Sequence, residues 1–197
     1  MGSPSKQRAG VKYTWQDYLT WPDDERWEVI DGQAYAMTPS PTPRHQRIAG
    51  NFYRKLADLL SGKPCQVFIA PLDVRFDRYN FVQPDVLVVC DPGKITERIE
   101  GAPDVVIEVL SPSTGLKDKR EKKALYERFG VREYILVHPE ELLIERYWLE
   151  GGKFLGPDLL GAGERLLVRV LGDLEIGLWE IFEVAPPEPE KEQDGKS

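Results

Sequence analysis

Apolar positions along the chain follow two rhythms, and the changes between them mark the elements. In "TPRHQRIAGNFYRKLADLLSG", Ile48, Phe52, Leu56, Leu59 and Leu60 recur at helical spacing. Thr42 fits as a cap, Pro43 as the first helical residue and Gly62 as the stop. Thr14 can cap a shorter helix, "TWQDYLTW", which ends before Pro22. "RWEVIDGQAYAM" reads as a hairpin turning at Asp31-Gly32.

The rhythm then changes to two. "PLDVRFD" alternates Leu72, Val74 and Phe76 with Asp73, Arg75 and Asp77, as a half-buried strand does. "FVQPDVLVV" and "PDVVIEVL" are continuously apolar and predict central strands buried on both faces. A helix is expected over about Asp118 to Phe129, then a strand "REYILV". Strand, helix and strand in that order predict a crossover between parallel strands. "LLIERYWL" and "ERLLVRV" read as further strands or hairpin arms, so the fold class is α/β with a mixed central sheet.

Composition agrees with one globular domain. The 197 residues are 41% hydrophobic and 30% charged, enough to bury a substantial core. The domain is expected over residues 11–184, between a flexible N-terminal tail (1–10) and a disordered, Pro- and Glu-rich C-terminal tail (185–197). No apolar run approaches the ~20 residues that a membrane helix needs. The N-terminal segment lacks the apolar centre of a signal peptide, so a cytoplasmic location is expected. Cys65 and Cys90 suggest neither a disulfide framework nor a zinc site and are read as reduced packing residues. A net charge of −7 argues against broad adhesion to nucleic acid, though not against a local basic groove.

One residue does not fit its surroundings. Glu108 stands among Val105, Val106, Ile107, Val109 and Leu110, and a buried unpaired carboxylate is costly. It could lie at a strand end facing water, pair with a buried base, or bind a metal with other carboxylates. Asp85, 23 residues earlier (108 − 85), is a second acid in a second apolar strand. Adjacent strands lie ~4.8 Å apart, so two carboxylates at matching height could share one cation. Asp104 is about 13 Å along the strand from Glu108, too far to share it, and reads as the residue that starts the strand.

Lys122 points the same way. It shares a helical face with Leu125, Tyr126 and Phe129, while Lys119, Lys123 and Glu127 fall on another stripe. Lys122 therefore turns inward, with Asp118 one turn before it; a lysine whose stem only covers the core is the alternative. Two acids with such a lysine make a sensible site for metal-assisted hydrolysis. Oxygen ligands suit Mg²⁺ or Mn²⁺, and the lysine would orient water or stabilise developing negative charge.

At these residues the chain resembles the Uma-type restriction endonuclease family, a branch of the PD-(D/E)XK nuclease superfamily. The resemblance rests on "RWEVIDGQAYAMTPSPTPRH", "QPDVLVV", "PDVVIEVLSPST" and "DKREKKALYERFGVREYILV" in that order. It is clear from Tyr13 to Val137 and weaker beyond. It implies a restriction-endonuclease-like mixed central sheet flanked by helices, with additional peripheral strands. It implies that Asp85 and Glu108 bind the metal, with the Val109 carbonyl as a further ligand. The usual motif lysine would fall at Leu110, and Lys122 matches its migrated place on the following helix. Glu28 matches an accessory metal or water ligand, and His45 matches a histidine at the start of the second helix. For Glu28 the alternative is an exposed hairpin residue or a partner of Arg26 or Arg47; for His45 it is a packing histidine. His138 stands where similar sequences carry aspartate, at a strand end expected to lie away from the metal.

The resemblance implies a Mg²⁺- or Mn²⁺-dependent endonuclease that cuts DNA and leaves a 5′-phosphate and a 3′-hydroxyl. A homodimer would let two-fold symmetry cut both strands. Arg44, Arg47, Arg54, Lys55, Lys117, Lys119, Arg120 and Lys123 could face phosphates, or simply be solvated. The alternatives are a catalytically silent nucleic-acid-binding or interaction module on the same fold, and hydrolysis of another phosphodiester such as RNA.

Overall fold

Local sequence signals form the first elements as expected. In the computed structural model, which describes residues 11–22, 24–37, 41–111 and 118–188 (118 and 119 by backbone only), Thr14 and Asp17 cap α1 (Trp15–Tyr18) reciprocally. Residues 1–10, 112–117 and 189–197, which include the expected N-terminal tail and most of the C-terminal one, lie outside this range. β1 (Trp27–Ile30) and β2 (Gln33–Ala36) form the hairpin. Its turn residues Asp31 and Gly32 both have positive φ, 53° and 81°, as a two-residue turn between twisted strands requires. Thr42 accepts the His45 N–H and opens α2 (Pro43–Leu59). Its Ile48, Ala49, Phe52 and Leu56 are buried, and each fully buried apolar side chain contributes about 1.5–3 kcal/mol.

The chain next builds two sheets. β3 (Gln66–Ile69), β6 (Val86–Val89), β8 (Val105–Val109), β9 (Glu133–His138), β10 (Leu143–Glu150) and β11 (Lys153–Gly161) form a mixed six-stranded sheet in the order β11-β10-β9-β8-β6-β3. β4 (Val74–Asp77), β5 (Asn80–Val82) and β7 (Ile99–Glu100) join the hairpin in a five-stranded sheet, β2-β1-β5-β4-β7. A small antiparallel pair, β12 (Arg165–Val168) and β13 (Leu174–Gly177), precedes α4 (Leu178–Phe182).

The expected crossover is present. β8 and β9 pair in parallel, and the connection between them carries a π-helical turn (Asp118–Lys122) and α3 (Lys123–Phe129). Side-chain alternation gives the central strands two apolar faces. Val86, Val88, Val105, Ile107 and Val109 pack with α2, whereas Leu87, Val89, Val106, Tyr134 and Leu136 pack with Leu125 and Tyr126 of α3. Glu108 shares the parity of Val106 and so projects to the α3 side.

Two expectations need correction, and two strands were not expected. "FVQPDVLVV" is two strands: Asn80–Val82 belongs to the five-stranded sheet and Val86–Val89 to the six-stranded one. Pro84 between them has no N–H for a ladder, and the chain changes sheets there. β3 and β11 flank the large sheet as edge strands, where the apolar signal is weak. Finally, Cys65 and Cys90 are joined in a disulfide, not reduced. Gln66 pairs with Val89, so the next pair outward sets the two cysteines directly across from each other, with 3.8 Å between Cα atoms. Sequence spacing carries no trace of that register.

The bond ties edge strand β3 to β6 across 25 residues. Loop-closure entropy of that length corresponds to about 3.5 kcal/mol. The double variant Cys65→Ser/Cys90→Ser, unfolded in denaturant without reductant, should lose stability of that order. Adding reductant should lower the wild type towards the variant and leave the variant unchanged.

Candidate active site

The end of β8 gathers the acids. Val86 pairs with Ile107, so Asp85 and Glu108, the next residues outward, lie opposite each other at neighbouring strand ends. Asp85 Oδ2 accepts the Val109 N–H at 2.8 Å and lies 3.3 Å from His45 Nε2. His45 stands in the first turn of α2, which carries it to the strand end.

On the α3 face, Lys122 is 3% exposed, Glu108 3% and Glu28 2%. Lys122 Nζ lies 2.9 Å from Glu108 Oε1 and 2.7 Å from Glu28 Oε1. The π-helical turn ends at Lys122, and α3 continues with Leu125 and Tyr126 facing the core beside it. Tyr126 Oη donates to Glu108 Oε1 at 2.5 Å. Burial and then the Glu108 charge push the Tyr126 phenol well above its ordinary value, so it stays a donor. Of the three explanations for Glu108, pairing with a buried base is present in the structure.

A second layer holds Glu28. The Gln83 N–H donates to Glu28 Oε1 at 3.1 Å. The Gln83 side chain accepts from Arg26 at 2.9 and 2.6 Å and donates to Asp73 at 2.9 Å. Burial holds the Asp73 carboxyl above the ordinary carboxylate range against the opposing Gln83 hydrogen bond. Burial, followed by the Asp73 charge, pushes Tyr18 up to about 12.

The basic residues are dispersed. Arg44 donates to the Pro139 carbonyl at 2.5 Å and to Glu140 at 3.2 Å, and Arg47 pairs with Glu183 at 2.7 Å. Lys55 pairs with Glu180. Lys123 Nζ sits 3.8 Å from the Tyr147 ring centroid. Lys117 and the Lys119 side chain lie outside the described residues. Glu28 is no exposed hairpin residue. His138 is not at a remote strand end: the parallel pairing of β8 and β9 puts it at the same end of the sheet as Glu108. There His138 Nε2 lies 3.0 Å from Glu145 Oε1, and Tyr147 donates its hydroxyl to the same carboxylate.

Sequence reasoning missed Gln83, Glu145 and the hydroxyl of Tyr126. Glu145 carried a usable signal, an acid inside the apolar run "LLIERYWL", as Glu108 is in its own. Tyr126, four residues after Lys122, was visible as a core position but not as a donor to Glu108.

Paired strands that present acids beside a buried lysine, on a mixed α/β fold, frame the candidate site. The family model Uma2, "Putative restriction endonuclease", matches residues 15–179. The chain belongs to that family. It is 33% identical over 138 residues to the uncharacterized protein slr1290 of Synechocystis sp., covering 67% of this chain and 72% of that protein. The fold matches the crystal structure of "a putative nuclease belonging to DUF820" from Anabaena variabilis with a TM-score of 0.72 at 19% identity, over 86% of this chain and 97% of that one. Among the described residues no helix is long and apolar enough to cross a membrane.

Removing the lysine charge would leave two buried carboxylates uncompensated. Lys122→Met should destabilise the fold by about 3–5 kcal/mol, measured by denaturant unfolding at pH 7. Asp73 gives a pH signature. As pH rises past the ordinary value of 3.8, the unfolded chain releases this proton before the folded one does. The group's contribution to stability therefore falls from 3.8 up to its raised folded value. Asp73→Asn should gain on wild type across that window and hold a constant advantage above it; an unchanging difference between pH 3 and 7 would contradict the assignment.

Proposed function

We propose that the protein is a metal-dependent endonuclease that hydrolyses phosphodiester bonds in DNA. The observation that carries this reading is the opposed pair Asp85 and Glu108 beside a buried lysine. The donors suit a small hard cation: two carboxylates, with the Val109 carbonyl as a further oxygen, fit Mg²⁺ or Mn²⁺. Among the described residues no group of three or more His, Cys, Asp or Glu side chains is placed to hold a metal. When bound, the cation would polarise a phosphoryl oxygen and acidify a water.

The chain's own residues do the rest. The Val109 N–H and His45 hold the Asp85 carboxylate in place. Glu28 and Glu108 hold Lys122 Nζ at a fixed position. Its ammonium would orient the attacking water or stabilise negative charge that grows on the phosphate. His45 stands within reach of a substrate held at Asp85, and Lys123 and Lys119 are candidate phosphate contacts. Arg44 and Arg47 would have to leave Glu140 and Glu183 to serve in that role. A two-fold dimer acting on duplex DNA completes the reading.

The test is calorimetric titration of Mn²⁺ or Mg²⁺ into wild type and Asp85→Ala, followed by plasmid nicking on the same samples. The expected result is metal binding and metal-dependent nicking in wild type, both lost in the variant. A wild type that binds no metal would sink the mechanism. Metal binding without nicking of DNA or cleavage of RNA would favour the silent module, and preferential cleavage of RNA would replace the substrate.

A further inference from the structure

Two buried carboxylates on the α3 side of the large sheet each accept a tyrosine hydroxyl. Glu108 on β8 and Glu145 on β10 both lie level with Leu136 of the strand between them. Tyr126 donates to Glu108 and Tyr147 to Glu145. The surroundings separate the two cases. Tyr126 and Lys122 converge on the same oxygen of Glu108, whose opposite neighbour is Asp85. Glu145 lies beside His138 instead and, on β10, stands three strands from Asp85 at the end of β6, a separation of roughly 14 Å.

Packing alone does not require the Tyr126 hydroxyl. The ring is fully buried and meets Phe76 at 6.0 Å and Tyr134 at 5.2 Å between centroids, contacts that a phenylalanine would keep. The hydroxyl instead fixes how the Glu108 carboxylate is rotated. An ionised carboxylate only accepts, and two donors on one oxygen define the orientation of the group. Lys122 divides its donors between Glu108 and Glu28, and Tyr126 gives Glu108 a second donor from a different element.

We propose that Tyr126 is a positioning residue for Glu108, holding the carboxylate in the orientation from which it binds the divalent cation. This rests on the metal-dependent reading above. Tyr126→Phe keeps the ring and removes the donor. Tyr147→Phe is the matched control, since it takes a hydroxyl from a buried carboxylate on the same face without touching Glu108.

Mn²⁺ affinity is measured by calorimetry on the full chain, with melting temperature recorded for each variant. Loss of a group that orients a metal ligand typically weakens binding about 10–100-fold. Tyr126→Phe should show a loss in that range, and Tyr147→Phe a change within about twofold. Equal losses in both variants, or none in either, would overturn the proposal while leaving the metal site standing. A wild type that binds no Mn²⁺ would instead defeat the metal-dependent reading itself, and this assignment with it. Should Tyr126→Phe fail to fold, the wild type decides the matter by nuclear magnetic resonance. The buried Tyr126 hydroxyl proton, identified through its own ring, should shift when Mg²⁺ is added; a resonance that Mg²⁺ leaves in place overturns the assignment.

Discussion

The ion pairs of Lys122 join three parts of the molecule. Glu28 comes from the hairpin of the five-stranded sheet, Glu108 from the centre of the six-stranded sheet, and Lys122 from the turn that begins the crossover helix. None of these charges is tolerable alone at 2–3% exposure. Each is tolerated because the other two are present, so the position of the hairpin relative to the large sheet is tied to the position of the helix. A buried ion pair is weak support for net stability, but breaking one is severe. The triad therefore acts more as a specification of geometry than as a source of stability.

Around the triad, the hydrogen bonds leave little freedom. Gln83 lies at the point where the chain passes from one sheet to the other, just before Pro84. Its backbone holds Glu28 and its side chain ties Arg26 to Asp73. Two residues later Asp85 bonds the Val109 N–H beside Glu108. The break that prevents one continuous strand thus delivers contacts to both halves of the site. The disulfide clasps the far end of β6, opposite the end that carries Asp85.

Much of this was legible from residues alone. Periodicity separates α2 from the strands, because a helix and a strand bury their faces at different spacings. The continuous apolar runs at β6 and β8 mark strands covered on both sides, and the order of strand, helix and strand implies a parallel pair. The unusual cost of an acid within such a run singled out Glu108 and Asp85, and helical spacing turned Lys122 inward. Local chemistry suffices for these readings, since each depends on the pattern within an element or on the order of elements along the chain.

Tertiary structure decided the partners. That Lys122 reaches Glu28, that Tyr126 donates to Glu108, that Cys65 faces Cys90 and that His138 stands at the same sheet end as Glu108 all depend on strand order and register. Those are set by how the two apolar faces of the large sheet are covered, a property of the whole chain. A one-residue change of register would reverse every side chain while leaving local composition untouched. The sequence by itself thus determined which side chains could not remain alone in the core, and only the packed sheets decided which of them would meet.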